Sequence, residues 1–310
     1  MTKAHDWSQE ELFILAFDHR SSFLAGLLGI KGREPTREER ETVSDYKNII
    51  FQGFRAALEK GVPKEHAGIL VDEEFGSKVL REAKDLGLIF AMPVEKSGQD
   101  EFDFEYGGKY EKHIEDYGPT FVKVLVRYNP EGEEEMNVRQ LKRLRTLSEY
   151  LLSRKRPLLF ELLVPATKAQ LDSLGDRRRY DVEIRPRLMV GAMGEIQDAG
   201  VEPTVWKLEG VERREDAERL VEQARRGGRR ASVVTLGRGE SKEMVQRWVQ
   251  VGAQTEGVNG FAVGRTIFWD PLSDYRKGKI DRNQAIRGVS ANYLELVNFW
   301  SAKKRMRKSS

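Results

Sequence analysis

The 310-residue sequence contains no cysteine, which excludes disulfide frameworks, thiolate zinc sites and thiol nucleophiles. Histidine is scarce. The four present, His5, His19, His66 and His113, are scattered, and only His19 falls at the end of a strand-like run. A zinc-dependent enzyme needs a histidine cluster, so neither a metal nor a cofactor is expected. No apolar run approaches the ~18 residues of a membrane span, and no membrane partner is expected. The opening MTKAHDWSQEEL is polar and acidic where a signal peptide is apolar, which predicts a soluble, cytoplasmic protein. A surplus of one charge is lacking too: 53 Lys+Arg stand against 50 Asp+Glu. Of the net +3, the five basic residues Lys303, Lys304, Arg305, Arg307 and Lys308 account for +5, which leaves −2 for the remainder. The basic runs RRR at 177–179 and RRGGRR at 225–230 carry no interleaved aromatics. They read as solvated surface, and no nucleic-acid partner is expected.

What the sequence does have is a recurrence of short apolar runs. They lie at 12–17, 68–72, 88–92, 121–127, 158–164, 204–209, 231–236 and 260–264. Each is rich in Val, Ile, Leu or Phe, as strands buried on both faces are. Helix-period segments at 36–60, 75–86, 136–154, 187–199, 213–226 and 239–254 alternate with them, and 281–302 reads as a closing amphipathic helix. Thr36 with Glu39 forms a capping-box pattern at the first helix, and Gly61 stands just past its end. Eight strands alternating with helices predict an α/β fold: a single-domain (β/α)8 TIM barrel over 1–302, with a disordered basic tail at 303–310. A doubly wound sheet is the competitor, but the first strand–helix turn, FDHRSSF, lacks the glycine fingerprint of a dinucleotide fold. The stretches 93–120 and 165–186 read as long loops at the functional end of the barrel.

Three predicted strands carry a charge where an apolar residue belongs: Lys123 in FVKVLVR, Glu161 in LLFELLV and Lys207 in TVWKLE. Residues two apart on a strand share a face, so three consecutive strands present Lys, Glu and Lys to one side. An unpaired buried charge is costly, which leaves a structural ion-pair network or a wet active site. The second has a chemical logic. Desolvation and a neighbouring cation make a lysine nucleophilic near neutral pH, and a carboxylate beside it accepts a hydroxyl proton during carbon–carbon cleavage. The seventh and eighth strands end in Gly237–Arg238–Gly239 and Gly264–Arg265, at the corner where barrel enzymes bind phosphate. Asp18, His19 and Arg20 end the first strand. Asp72 and Glu73 follow the second and Glu95 the third, and each of these three reads equally well as a capping or solvated residue.

These motifs resemble a family. FILAFDHRSSF, MPVEKSGQDEFDFEYG, FVKVLVRYNP, VWKLEG, VVTLGRG and VGRTIFWDPL, spread over residues 10–300, are similar to the aldolase domain that follows a sugar-kinase domain in some bacterial myo-inositol-catabolism proteins. That domain, formerly one of unknown function, is similar in turn to the class I tagatose-bisphosphate aldolases. The resemblance implies that Lys207 forms the Schiff base, Glu161 transfers the proton and Lys123 assists. It implies that Asp18 contacts substrate and Arg265 binds phosphate, with Gly237, Arg238, Gly239 and Gly264 around it. His19 stands where the tagatose enzymes commonly have glutamine. Arg20 and Arg127 are the cations available for a carboxylate at the far end of the substrate. The implied substrate is 2-deoxy-5-keto-gluconate 6-phosphate, cleaved to dihydroxyacetone phosphate and malonate semialdehyde. A tagatose- or fructose-type phosphate aldolase and a non-catalytic sugar-phosphate-binding barrel remain as alternatives. With the first strand at residue 12, a freestanding aldolase without a kinase domain is expected. The oligomeric state is left open, a homo-oligomer included.

Overall fold

The computed structural model describes residues 6–308, so residues 1–5 of the expected domain and 309–310 of the expected tail lie outside it. Eight parallel strands close into a barrel in sequence order: β1 (Leu12–Ala16), β2 (Ala67–Leu70), β3 (Ile89–Pro93), β4 (Phe121–Arg127), β5 (Leu158–Leu163), β6 (Val205–Glu209), β7 (Ser232–Leu236) and β8 (Val258–Val263). β8 pairs back on β1 through Phe13 and Phe261 and their neighbours, which closes the cylinder. The helices that pack around it are α1 (Arg37–Glu59), α2 (Glu73–Asp85), α3 (Tyr110–Tyr117), α4 (Glu134–Arg154), α5 (Arg185–Asp198), α6 (Arg214–Ala224), α7 (Lys242–Gln254), α8 (Arg265–Arg276) and α9 (Arg282–Lys308). This is the expected TIM barrel, a single domain.

Local chemistry accounts for the boundaries. The Thr36 hydroxyl accepts from the Glu39 amide, and the Glu39 carboxylate accepts from the Thr36 amide, a reciprocal cap that starts α1. Asp72 starts α2 by accepting from the amide of Phe75. Strand alternation divides the apolar residues into two cores. Outward-facing side chains such as Phe13, Phe160 and Trp206 pack against the helices. Inward-facing Leu12, Ile14, Leu70, Ala91, Phe121, Leu159, Val205, Val234 and Ala262 fill the lower barrel. Trp7 seals the N-terminal end against Phe121, with ring centroids 4.7 Å apart. Among the described residues no helix is long and apolar enough to cross a membrane.

Two expectations need correction. Residues 303–308 are not a frayed tail but the last turns of α9, and Lys304 donates to Glu11 at 2.9 Å. Cations in a helix's last turns interact favourably with its dipole, so the basic run suits a helix end. The stretches 93–120 and 165–186 are not plain loops either. The first folds back on itself through an antiparallel bridge between Glu95 and Phe104 and then forms α3, which ends at the left-handed Gly118. The second contains a helix over Lys168–Leu174, capped by Thr167 and Gln170, and a π-turn at Tyr180–Ile184 that leads into α5.

Candidate active site

Above the apolar floor of the barrel the inward-facing positions turn polar. Phe121, Lys123, Leu125 and Arg127 share one face of β4, and on β5 and β6 the same alternation carries Leu159 up to Glu161 and Val205 up to Lys207. Glu161 and Lys207 are register partners. The Lys207 ammonium lies 2.8 Å from Glu161 Oε2, and Lys123 lies 3.0 Å from that same oxygen. Lys123 also donates to Asp18 Oδ2 at 2.7 Å and to Glu95 Oε1 at 2.6 Å. The three expected residues therefore meet, with both lysines on one Glu161 oxygen. Three carboxylates surround Lys123.

The electrostatics follow from that crowding. Burial disfavours a charge on Lys123, but Asp18, Glu161 and Glu95 outweigh it and hold the ammonium protonated well above the ordinary lysine range. Burial opposes ionisation of Asp18 and Glu161 too, yet Lys123 and Lys207 hold both carboxyls below their usual range. Glu95 goes the other way. Burial there exceeds what Lys123 and Arg20 return, and its carboxyl is pushed up. Burial lowers the His19 imidazole to about 4, partly offset by Asp18 and reinforced by Arg265 and Lys207, so it is neutral near neutral pH.

Glu95 is the site residue that the sequence left undistinguished. Its Oε1 faces Lys123, its Oε2 is buried without a hydrogen-bond partner, and its carbonyl accepts from Arg20 at 2.7 Å. Arg20 is 5% exposed and pairs with Glu105 at 2.8 Å. It is thus engaged in holding the β3 loop rather than open to a substrate carboxylate. Just past the end of β1, the fully buried Lys47 donates to the carbonyls of Phe17 and His19 and pairs with Asp72, fixing the backbone on either side of Asp18. Sequence reasoning missed Lys47, because one cation on a helix rich in charged residues carries no signal.

At the opposite wall, Gly239 (φ +74°) allows the Arg265 guanidinium to lie over the turn, since a Cβ there would sit 2.1 Å from the Arg265 Cζ. Gly264 likewise touches the Ala16 carbonyl of β1, where a Cβ would lie at 2.0 Å. Arg265 opens the twelve-residue α8 and donates Nη2 to the Arg238 carbonyl at 2.9 Å. Its Nε and the Thr266 hydroxyl have no partner in the protein. Arg238 departs from its expected place as a phosphate ligand. Its guanidinium pairs with Asp181 at 2.6 Å, Glu209 at 3.2 Å and Glu240 at 3.1 Å, and it lies over the Trp248 ring. Its part in the corner is the carbonyl that orients Arg265. A cavity of about 320 Å³ joins this corner to the lysine–carboxylate cluster. Asp18, His19, Arg20 and the loop 96–102 line it, as does Arg127, whose guanidinium donates to the Gln99 carbonyl at 2.6 Å. Among the described residues no group of His, Asp or Glu is arranged to hold a metal ion.

Solved structures share this architecture. The fructose-bisphosphate aldolase of Plasmodium falciparum superposes with a TM-score of 0.69 at 15% identity, over 97% of this chain and 93% of that one. An archaeal fructose 1,6-bisphosphate aldolase gives 0.58 at 15% identity, covering 93% of each chain. A Schiff-base-forming fructose-1,6-bisphosphate aldolase gives 0.55 at 13% identity, over 91% of this chain and 92% of that one. At such identities the likeness establishes the shared barrel fold. No curated protein matches the sequence. A family model does match it, over residues 1–304, and on that match the chain belongs to the family described as "Uncharacterized protein conserved in bacteria (DUF2090)".

Proposed function

We propose that this protein is a class I aldolase that cleaves a ketose-type sugar or sugar-acid phosphate through a Schiff base on Lys207. The observation that carries the reading is the Lys207–Glu161 contact of 2.8 Å at the base of a cavity whose opposite wall is Arg265 and the N-terminus of α8. A buried amine beside a carboxylate, with an anion-binding corner in the same cavity, suits a phosphorylated ketone. The fold shared with fructose-bisphosphate aldolases, one of them Schiff-base-forming, supports the same class.

In this mechanism the neutral Lys207 amine attacks the substrate ketone, and the carbinolamine, its hydroxyl protonated, loses water to leave an iminium. Glu161 accepts the proton of the hydroxyl β to that carbon, the carbon–carbon bond breaks, and an aldehyde departs. The bonding electrons stay on the three-carbon fragment as an enamine, which is protonated and hydrolysed to release ketone and amine. Lys123 holds Glu161 and Asp18 in place and offsets their charge. Arg265, Gly237, Gly239 and the first amides of α8 hold the phosphate. Arg127 is the cation within reach of a second anionic group. The substrate that motif resemblance favours is 2-deoxy-5-keto-gluconate 6-phosphate, giving dihydroxyacetone phosphate and malonate semialdehyde.

A coupled assay for dihydroxyacetone phosphate release, run over ketose phosphates and keto-acid phosphates, tests the substrate class. Borohydride added during turnover is expected to fix a three-carbon phosphate adduct on Lys207, and Lys207→Ala to abolish adduct and turnover together. An adduct on Lys123, or turnover without any adduct, refutes the assignment.

A further inference from the structure

The mechanism above requires Lys207 to give up a proton before it attacks, and it names no group that holds that proton until the carbinolamine hydroxyl leaves as water. The cluster's composition suggests one. Asp18, Glu95 and Glu161 stand against Lys123 and Lys207, with Arg20 matched by Glu105, so the site holds one carboxylate more than its ammonium groups balance. The contacts also form a continuous line. Lys207 Nζ is 2.8 Å from Glu161 Oε2, that oxygen is 3.0 Å from Lys123 Nζ, and Lys123 Nζ is 2.6 Å from Glu95 Oε1. Glu95 ends the line with a second oxygen that is buried and unpartnered.

We infer that Glu95 is the proton acceptor for Schiff-base formation, drawing the Lys207 proton through Glu161 and Lys123. The inference rests on the Schiff-base reading and adds a residue to it. The balance closes in three transfers: Lys123 first gives a proton to Glu95 Oε1 and gains a lone pair, Lys207 gives a proton to Glu161 Oε2, and Glu161 passes it to the freed lone pair of Lys123. Lys207 ends as a neutral amine and Glu95 as a neutral acid, while Glu161 and Lys123 return to their starting states. No net charge enters or leaves the cluster, which is the economical route among buried side chains.

The choice of Glu95 over its neighbours follows from its surroundings. Lys123 and Lys207 keep Asp18 and Glu161 ionised, whereas burial makes Glu95 the more basic carboxylate. The charged and titratable groups around Glu95 are Asp18 and Arg20 after β1, Lys123 on β4, Glu161 on β5, Lys207 on β6, and Glu105 and Lys96 in its own folded-back loop. Run backwards as far as Glu161, the same line returns the proton to the carbinolamine hydroxyl, which leaves as water and gives the cationic iminium.

Glu95→Gln keeps an oxygen acceptor for Lys123 but cannot take up the proton. With dihydroxyacetone phosphate as probe, the rate of borohydride-trapped adduct formation is measured against pH for the wild type, E95Q and E95D, each checked for an intact thermal melt. The wild-type rate is expected to rise as Glu95 ionises and then to level off. E95Q is expected to be slower by on the order of a hundredfold near neutral pH and to climb steadily with hydroxide instead of levelling. E95D, which restores an acceptor, is expected to regain the plateau at a reduced height. An E95Q rate equal to wild type, or lowered by one factor at every pH, overturns the relay and leaves Glu95 as a prop for Lys123. An E95D profile that copies E95Q overturns it as well. Failure of the wild type itself to form any adduct overturns the relay together with the Schiff-base reading, so the two failures are distinguishable.

Discussion

Lys123→Met removes the cation at the centre of the cluster while keeping its length and apolar stem. Three carboxylate oxygens lie at 2.6, 2.7 and 3.0 Å from its nitrogen, on side chains no more than 10% exposed. After the substitution Glu161 retains Lys207 at 2.8 Å and Glu95 retains Arg20 at 4.0 Å, whereas Asp18 keeps no ion pair that close. The cost therefore concentrates on Asp18. Leaving one member of a buried pair uncompensated costs about 3–5 kcal/mol, or about 5–10 °C in Tm for a chain of this size. The pH dependence has a definite sign. In the wild type Asp18 and Glu161 have lowered folded pKa values, so their contribution is present above the unfolded carboxylate value of ~4 and is lost as pH falls through the folded one. Lys123 has a raised folded pKa, so its contribution is complete below ~10.4 and is lost only as pH rises through the folded value. In the variant the crowded carboxylates bind protons more readily when folded than when unfolded. Its stability deficit should then be largest near pH ~7 and shrink towards pH ~5. Urea unfolding followed by circular dichroism at both pH values measures this. A second substitution, Asp18→Asn, made in the Lys123→Met background, should recover about 0.5–3 kcal/mol through the coupling of the two sites. A Lys123→Met midpoint equal to wild type at neutral pH, or a deficit that grows on acidification, would refute this account of the cluster.

Arg265→Ala should raise KM for phosphorylated substrates and lower kcat/KM by roughly tenfold to over a hundredfold, the weight of a lost charge-assisted contact of about 1.5–3 kcal/mol; unchanged kinetics would place Arg265 in the fold and not the site. Because folding lowers the His19 pKa from 6.5 to about 4, the wild type should lose up to roughly 3 kcal/mol as pH falls across that interval. His19→Gln should flatten that slope, and parallel acid-unfolding curves for the two proteins would contradict the neutral imidazole. Turnover should survive EDTA, because an iminium is the electrophile; loss on chelation with recovery on adding Zn2+ or Mn2+ would move the chemistry to a metal.

The barrel is legible in the sequence because its strands are buried on both faces and read as continuous Val, Leu and Phe runs. Lys123, Glu161 and Lys207 stand out for the same reason, since a charge inside such a run conflicts with its surroundings. The alternation that puts them above Phe121, Leu159 and Val205 follows from counting by twos. Residues whose meaning depends on a distant partner are not legible in this way. Glu95 looks like any polar strand end until Lys123, 28 residues later, donates to it. Arg238 in a Gly-Arg-Gly turn looks like a phosphate ligand until Asp181, 57 residues earlier, claims its guanidinium. Lys47 belongs to a helix with many charges, and only tertiary packing turns it inward. The short helices within 93–120 and 165–186 are not legible, because each is too brief to establish a 3.6-residue period.

The pairing of β8 with β1 also sets a condition on how the protein is made. Every other strand can join a neighbour that precedes it, but the free edge of β1 waits for residues 258–263, about 240 positions later. α9, which packs against α1, α7 and α8, comes later still. At about 5–20 residues per second, that edge stays open on the ribosome for on the order of 10–50 s. Through that interval it is a template for another nascent chain. Nascent chains arrested before residue 258 should be protease-sensitive at β1 and dependent on a chaperone, a burden that ends only when the last strand arrives.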